Sequence, residues 1–278
     1  SNIIPWQMIC KRTGSKINYL KSKEDGTLDL NDYKKALNNK VKIVSITHAS
    51  NVFGTINPVE EMIDLANNKE IKVLVDACQS APHIKIDVKK MNCDFLAFSG
   101  HKMFGPTGVG VLYGKSDLLE EMDPYQTGGG IIETVTMEES TWTHSPYKFE
   151  PGSPMAAQAI ALSDAADYLD NCLANDTSNI EEYSKEKMSS INGINIYGNA
   201  KHRTPIISFN IEGIHSLDLA HFLDYEGITI RSGHHCCQPL MNALNISSCA
   251  RASFYFYNSK KDVDFLVDKI NKAIKILK

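Results

Sequence analysis

Four short stretches of this chain carry residue types that could do covalent chemistry. Asp76 and Gln79 lie in VLVDACQSAPH, and Ser99, His101 and Lys102 in FSGHKMFGPTGVG. Asn51 lies in ITHASNVFGTINP, and Cys236 in RSGHHCCQP. An apolar run, Phe95 to Phe98, leads into the turn that holds Lys102, and another, Val109 to Tyr113, leads out. An ammonium between buried strands is costly unless it is paired, or unless it is neutral and in covalent use. A lysine that gives up its proton is a nucleophile able to form a Schiff base with a carbonyl. Cys236 sits beside His234 and His235 and near Arg231. That electropositive setting favours the thiolate, the reactive form of cysteine.

A Schiff-base lysine needs an electrophile, and pyridoxal 5'-phosphate is the commonest protein cofactor that supplies one. It acts as an electron sink when its ring nitrogen stays protonated, so a carboxylate is the expected partner. Asp76 suits that place. Gln79 could donate to the ring oxygen, and Ser99 and His101 to the phosphate. Taken singly, Asp76 could instead cap the next helix, and His101 could be a hydrogen-bonded structural histidine. The joint spacing carries the reading.

These residues need elements to position them. Val41 to Thr47, Ile71 to Val75 and Phe95 to Phe98 are short apolar runs that predict buried strands. Each is followed by polar groups: Asn51, then Asp76 and Gln79, then Ser99, His101 and Lys102. In a parallel sheet with helical crossovers such ends share one edge, where open α/β sheets bind ligands. Pro58 to Asn68 predicts a crossover helix, with Glu60 and Glu61 in its first turn. Val109 to Tyr113 follows Lys102 closely enough to predict an antiparallel neighbour. Ile17 to Leu20 predicts a short strand, Leu28 to Leu37 a helix, and Asp117 to Met122 another. Gly128 to Pro154 shows no regular period and predicts a long functional loop.

Met155 to Asn171 predicts an Ala-rich connecting helix, and Asn171 to Ser178 a polar boundary. Beyond it, helices are expected over Ile180 to Ile191, Ser216 to Tyr225 (capped by Ser216), Pro239 to Leu244 and Ser259 to the end. Strands are expected over Ile194 to Tyr197, Pro205 to Ile211, Ile228 to Arg231 and Ala250 to Phe256.

With 278 residues, 42% hydrophobic and 22% charged, the composition is that of a globular chain able to form one large core or two domains. A net charge of -4 gives nucleic acid no obvious purchase. No run approaches the roughly 20 apolar residues of a membrane helix, and the opening residues lack the pattern of a signal peptide. Seven scattered cysteines, an odd number without a CxxC pair, argue against a disulfide framework or a structural zinc site and for a reducing compartment.

The chain resembles the class II cysteine desulfurases, the SufS-like group of fold type I PLP-dependent enzymes, and their selenocysteine lyase relatives. The resemblance rests on ITHASNVFGTINP (46–58), VLVDACQSAPH (73–83), CDFLAFSGHKMFGPTGVGVLYGK (93–115), GGGIIETV (128–135), KFEPGSP (148–154), RSGHHCCQPLM (231–241) and ARASFYFYNS (250–259). It implies an α/β, fold type I transferase fold. Residues 1–172 would form a large, mostly parallel-sheet PLP domain, and residues 173–278 a smaller C-terminal domain with the cysteine loop. It implies that Lys102 holds the cofactor, Asp76 pairs with the ring nitrogen and Gln79 faces the ring oxygen. Ser99 and His101 would hold the phosphate, and Ser153 would reach the phosphate of the other subunit's cofactor. Asn51 and Arg251 would bind the substrate carboxylate, and Cys236 would take sulfur from L-cysteine as a persulfide, leaving alanine.

The same resemblance implies a homodimer, a sulfur-acceptor protein of the SufE or SufU type, a role in iron–sulfur cluster assembly, and a cytoplasmic or plastid-type (apicoplast or chloroplast) setting. It also implies a further N-terminal region ahead of Ser1, with a phosphate loop and a ring-stacking histidine. Selenocysteine as the preferred substrate stays open, as does a role for this chain as a non-catalytic piece or a subunit of a split enzyme. Cys237 and Gln238 depart from the small or apolar residues expected after the catalytic cysteine, and a second thiol there could compete for the persulfide.

Overall fold

Apolar, largely β-branched runs such as Ile43–Thr47 and Ile206–Ile211 form strands of this chain. A computed structural model describes residues 1–176 and 179–278. In chain order come α1 (Ile4–Thr13), α2 (Leu30–Ala36), β1 (Ile43–Thr47), α3 (Val59–Asn67), β2 (Lys72–Asp76), α4 (Val88–Met91), β3 (Phe95–Ser99), β4 (Gly110–Gly114) and α5 (Ser116–Glu121). After them come β5 (Ile132–Val135), β6 (Ser140–Trp142), α6 (Ala156–Ala174), α7 (Ile180–Ser189), β7 (Ile194–Tyr197) and β8 (Ile206–Ile211). The chain ends with α8 (Ser216–Tyr225), β9 (Arg231–Gly233), α9 (Gln238–Ala243), β10 (Cys249–Ser253) and α10 (Lys260–Leu277). Two compact units divide it: Ser1–Asn38, Thr47–Met62 and Asn171–Lys278 in one, Asn39–Ile46 and Ile63–Asp170 in the other.

The second unit is built on a sheet of order β1-β2-β3-β4. β2 and β3 run parallel, with Asp76 opposite Ala97, and β4 returns antiparallel to β3 as its short connection requires. Val73 and Val75 of β2 and Leu96 of β3 are buried. Asp94, also buried, accepts the Val73 N–H at 2.8 Å and meets Lys115 at 3.2 Å, so its carboxylate is satisfied as it enters β3.

The first unit has a sheet of order β7-β8-β10-β9, each neighbouring pair antiparallel. Ile207, Phe209 and Ile211 of β8 share one buried cluster with Ala250 and Ala252 of β10, Leu219 and Leu223 of α8, and Ile270 of α10. The buried Val263, Leu266, Ile270 and Ala273 recur every three or four residues along α10, giving it one apolar stripe. A reciprocal capping box between Ser259 and Asp262 starts that helix. Phe209 is fully buried, and its truncation to Ala would cost about 3–5 kcal/mol.

Several expectations need correction. Ile17 to Leu20 forms no strand. The long loop contains a hairpin, β5–β6, tied by a 2.6 Å bond between the Thr134 and Thr141 hydroxyls. Ser216 does not cap α8: His215 does, its Nδ1 accepting the Leu217 N–H, while buried Ser216 bonds Ser232 and Ser248. The strand expected over Ile228 to Arg231 begins only at Arg231. α6 extends to Ala174, and the polar boundary drawn over Asn171 to Ser178 ends on Thr177 and Ser178, which lie outside the described residues. Among the described residues no helix is long and apolar enough to cross a membrane.

Candidate active site

In the second unit, parallel pairing of β2 and β3 brings their C-terminal ends side by side. Asp76 closes β2 and Ser99 closes β3, both half-buried. The Ala77 N–H donates to the Ala97 carbonyl at 2.8 Å, which continues the pairing past Asp76. Asp76 Oδ1 accepts the Cys78 backbone N–H at 3.1 Å, and the Cys78 Sγ lies 3.9 Å from the Ser99 Oγ. Burial, with the Asp76 carboxylate next, pushes the Cys78 thiol above its usual pKa, while the Lys102 ammonium and the Ser99 hydroxyl pull it down. Gln79 is half-buried in the turn that follows.

His101 and Lys102 sit on a single 3-10 turn, Gly100–Lys102, directly after β3. Both are exposed, so Lys102 is not desolvated as its apolar flanks suggested; the strand has ended before it. The turn is closed tightly. The Gly100 N–H donates to the Val109 carbonyl, and the Gly100 carbonyl accepts the N–H groups of Met103 and Gly105, all at 3.0 Å. A Cβ on Gly100 would stand 2.9 Å from Val109 Cγ1, so only glycine fits without displacement.

The donor set suits pyridoxal 5'-phosphate. An amine can take its aldehyde, a carboxylate can keep its ring nitrogen protonated, and hydroxyl and imidazole groups can bind its phosphate. Ser153 lies farther along the same unit and is exposed. Just before it, the Gly152 N–H donates to the Gly129 carbonyl at 2.7 Å, tying PGSP to the GGG segment. The open hollow found there, lined by Tyr125 to Gly128 with Pro151 and Gly152, includes none of the Asp76–Lys102 group.

The first unit brings a different set together. Cys236 is exposed in the loop between β9 and α9. Gly233 has φ +120, His235 +51 and Cys236 +56. The left-handed region costs an L-residue roughly 1–2 kcal/mol, so two in succession need firm support. His235 is 4% exposed, and its Nε2 lies 3.0 Å from the Cys249 carbonyl. Asn51 Nδ2 donates to the His235 carbonyl at 2.9 Å, and Arg251 Nη1 donates to the Asn51 carbonyl at 2.7 Å. Burial, then the charges of Arg251, Arg231 and His234, hold the His235 imidazole down to about 4.

Arg251 stands opposite Arg231 in the β9–β10 register, and its buried Nε has no hydrogen-bond partner among the described residues. Two guanidinium groups across a strand pair with a donor to spare suit an anion such as a carboxylate. Cys237 is half-buried against an apolar cluster that includes Val52, Phe53 and Met241, and burial raises its thiol above its usual pKa. All seven cysteines are free thiols.

Cys78 and His235 escape a reading of the sequence. Cys78 looks like filler between Asp76 and Gln79, and nothing in RSGHHCCQP tells which histidine turns inward.

Comparison with known proteins identifies relatives of the chain. The class-V aminotransferase family matches residues 1–266. A probable cysteine desulfurase of Halalkalibacterium halodurans is 48% identical over 277 residues, spanning 98% of this chain and 68% of the relative. Of the solved structures, the cysteine desulfurase CsdA of Escherichia coli superposes with a TM-score of 0.93 at 32% identity, over 100% of this chain and 70% of its own. An apo cysteine desulfurase from Thermococcus onnurineus gives 0.93 at 35%, over 99% and 70%. This chain thus spans about two thirds of the length of such relatives. With a family match over nearly all of its residues and a shared fold, the chain belongs to the class-V aminotransferase family.

Proposed function

We propose that this chain belongs to a PLP-dependent cysteine desulfurase that converts L-cysteine to L-alanine and carries the sulfur as a persulfide on Cys236. The observation that carries the reading is the placement of Asp76 and Ser99 at the neighbouring C-terminal ends of β2 and β3, with His101 and Lys102 on the turn directly after β3. Cysteine desulfurase relatives over the whole chain support it. When bound, the cofactor supplies an electron sink for the substrate's α-carbon.

The protein's own groups do the rest. Lys102 would hold the aldehyde and, once substrate displaces it, move the α-proton. Asp76, with one oxygen already fixed by the Cys78 N–H, would keep the ring nitrogen protonated. Gln79 would donate to the ring oxygen. Ser99 and His101 would bind the phosphate, with Ser153 reaching the phosphate of a second subunit's cofactor. Asn51 and Arg251 would orient the substrate carboxylate. The Cys236 thiolate attacks the substrate sulfur: the S–S bond forms, the C–S bond breaks, and the carbon takes up protons to leave alanine. Splitting one hard cleavage between sink and nucleophile lowers each barrier.

In this reading residues 1–172 serve the cofactor and residues 173–278 the sulfur. The enzyme works as a homodimer and hands its sulfur to a SufE- or SufU-type acceptor for iron–sulfur cluster assembly. Seven free thiols suit a reducing cytoplasmic or plastid-type compartment.

The test is borohydride trapping of the cofactor, alanine release and peptide mass analysis on the full-length enzyme. Lys102→Ala should abolish trapping and turnover. Cys236→Ala should keep the trapped cofactor and lose the persulfide. Normal turnover in Lys102→Ala would sink the reading.

A further inference from the structure

The loop of Cys236 is held from two sides by one residue. The Cys249 carbonyl can only accept a hydrogen bond, so the Nε2 of His235 must carry the proton and donate it. The ring is therefore fastened to β10 through its Nε2–H. The His235 carbonyl is fastened as well, to the side-chain amide of Asn51. With side chain and carbonyl both fixed, the direction in which the chain leaves His235 is fixed. The next residue is Cys236, held at φ +56 and exposed. The Cys237 N–H closes the turn on the His234 carbonyl at 2.8 Å.

We propose that His235 is the positioning residue for the sulfur-accepting thiol: its two anchors hold Cys236 in the left-handed conformation that presents the thiol. Because one anchor is Asn51, itself bonded through its carbonyl to Arg251, the hold on the thiol and the binding of the substrate carboxylate share one network. The inference rests on Cys236 being the sulfur acceptor.

The experiment compares His235→Gln and His235→Leu with the unsubstituted full-length holoenzyme. Glutamine keeps an N–H that can reach the Cys249 carbonyl; leucine fills the space without one. In His235→Leu, kcat and the single-turnover rate of Cys236 persulfide formation should fall about 100-fold, the penalty for a thiol misplaced by an ångström. KM for cysteine and borohydride-trapped cofactor should stay unchanged, and His235→Gln should recover to within about tenfold of the original rate. Iodoacetamide labelling of Cys236 without substrate should change in the leucine variant and return in the glutamine variant.

A leucine variant as fast as the original overturns the inference. So does a glutamine variant as slow as the leucine one with cofactor and melting temperature intact, because packing alone then explains the defect. Should the leucine variant not fold, the glutamine variant decides: unchanged KM with modestly reduced kcat supports the inference, and a raised KM with unchanged kcat overturns it. Absence of a Cys236 persulfide in the unsubstituted enzyme overturns the functional reading and the inference with it, whereas a persulfide formed equally fast in all three overturns the inference alone.

Discussion

Arg251 donates from Nη1 to the backbone carbonyl of Asn51 at 2.7 Å, which joins two residues 200 positions apart. Both are half-buried, and both are the residues expected to receive the substrate carboxylate. A guanidinium can hold that carbonyl with one nitrogen and still offer others to an anion, because its donors form a planar fork.

Arg251→Lys should therefore be far from conservative. A lysine has one nitrogen at the end of a flexible stem and cannot serve both partners in fixed directions. KM for cysteine should rise by about tenfold or more, equivalent to about 1.4 kcal/mol or more of lost binding. Steady-state kinetics on alanine release check this. An unchanged KM would remove Arg251 from the substrate site.

Gly100 and Gly108 make a paired test of the turn around Lys102. At Gly100 a Cβ would meet Val109 Cγ1 at 2.9 Å and the Val109 carbonyl at 3.1 Å, where β3 and β4 are tied together. Gly100→Ala should cost about 1–3 kcal/mol, the usual range for overpacking, and should weaken cofactor retention because the turn carrying Lys102 must shift. Gly108 has φ +83 with nothing within 4 Å of its added Cβ. Gly108→Ala should cost only the left-handed conformation, about 1 kcal/mol, and should leave the cofactor in place. Urea unfolding and borohydride trapping separate the two. Equal cofactor loss in both variants would count against this account of the turn.

Much of this arrangement was legible in the residues. Strands followed by polar groups announce the sheet edge, because an apolar run that stops at Asp76 or Ser99 must leave the core there. The short path from Lys102 to Val109 announces the antiparallel β4. The β5–β6 hairpin was hidden because all but one of its residues, Trp142, are exposed, so no alternation of apolar and polar side chains marks it. Ser216 misled because serine is a good helix cap, yet here its hydroxyl has buried partners in Ser232 and Ser248, and His215 takes the cap. The support of Cys236 was hidden for a deeper reason. It runs through the carbonyls of His235 and Cys249, and a backbone carbonyl carries no signature of its own in a sequence. Only folding brings Asn51 to a carbonyl 184 positions away.

Stability should fall in mild acid, and His235 should account for part of the fall. Its imidazole is held down to about 4, by burial first and then by Arg251, Arg231 and His234, against 6.5 in an unfolded chain. Above pH 6.5 both states are neutral there and the residue adds no pH dependence. Between pH 6.5 and about 4 the unfolded chain takes up a proton that the folded protein refuses, so unfolding is favoured progressively, by about 3 kcal/mol at the lower end. Below about 4 both states are protonated and the contribution is flat. His83, also held down to about 4 by burial, acts in the same direction over the same window. Urea midpoints measured from pH 7.5 to 4 should decline, and His235→Gln, which cannot titrate, should decline less steeply while keeping its bond to the Cys249 carbonyl. Parallel curves for the two proteins would mean that His235 is charged in the folded state, which its burial and its cationic neighbours both disfavour.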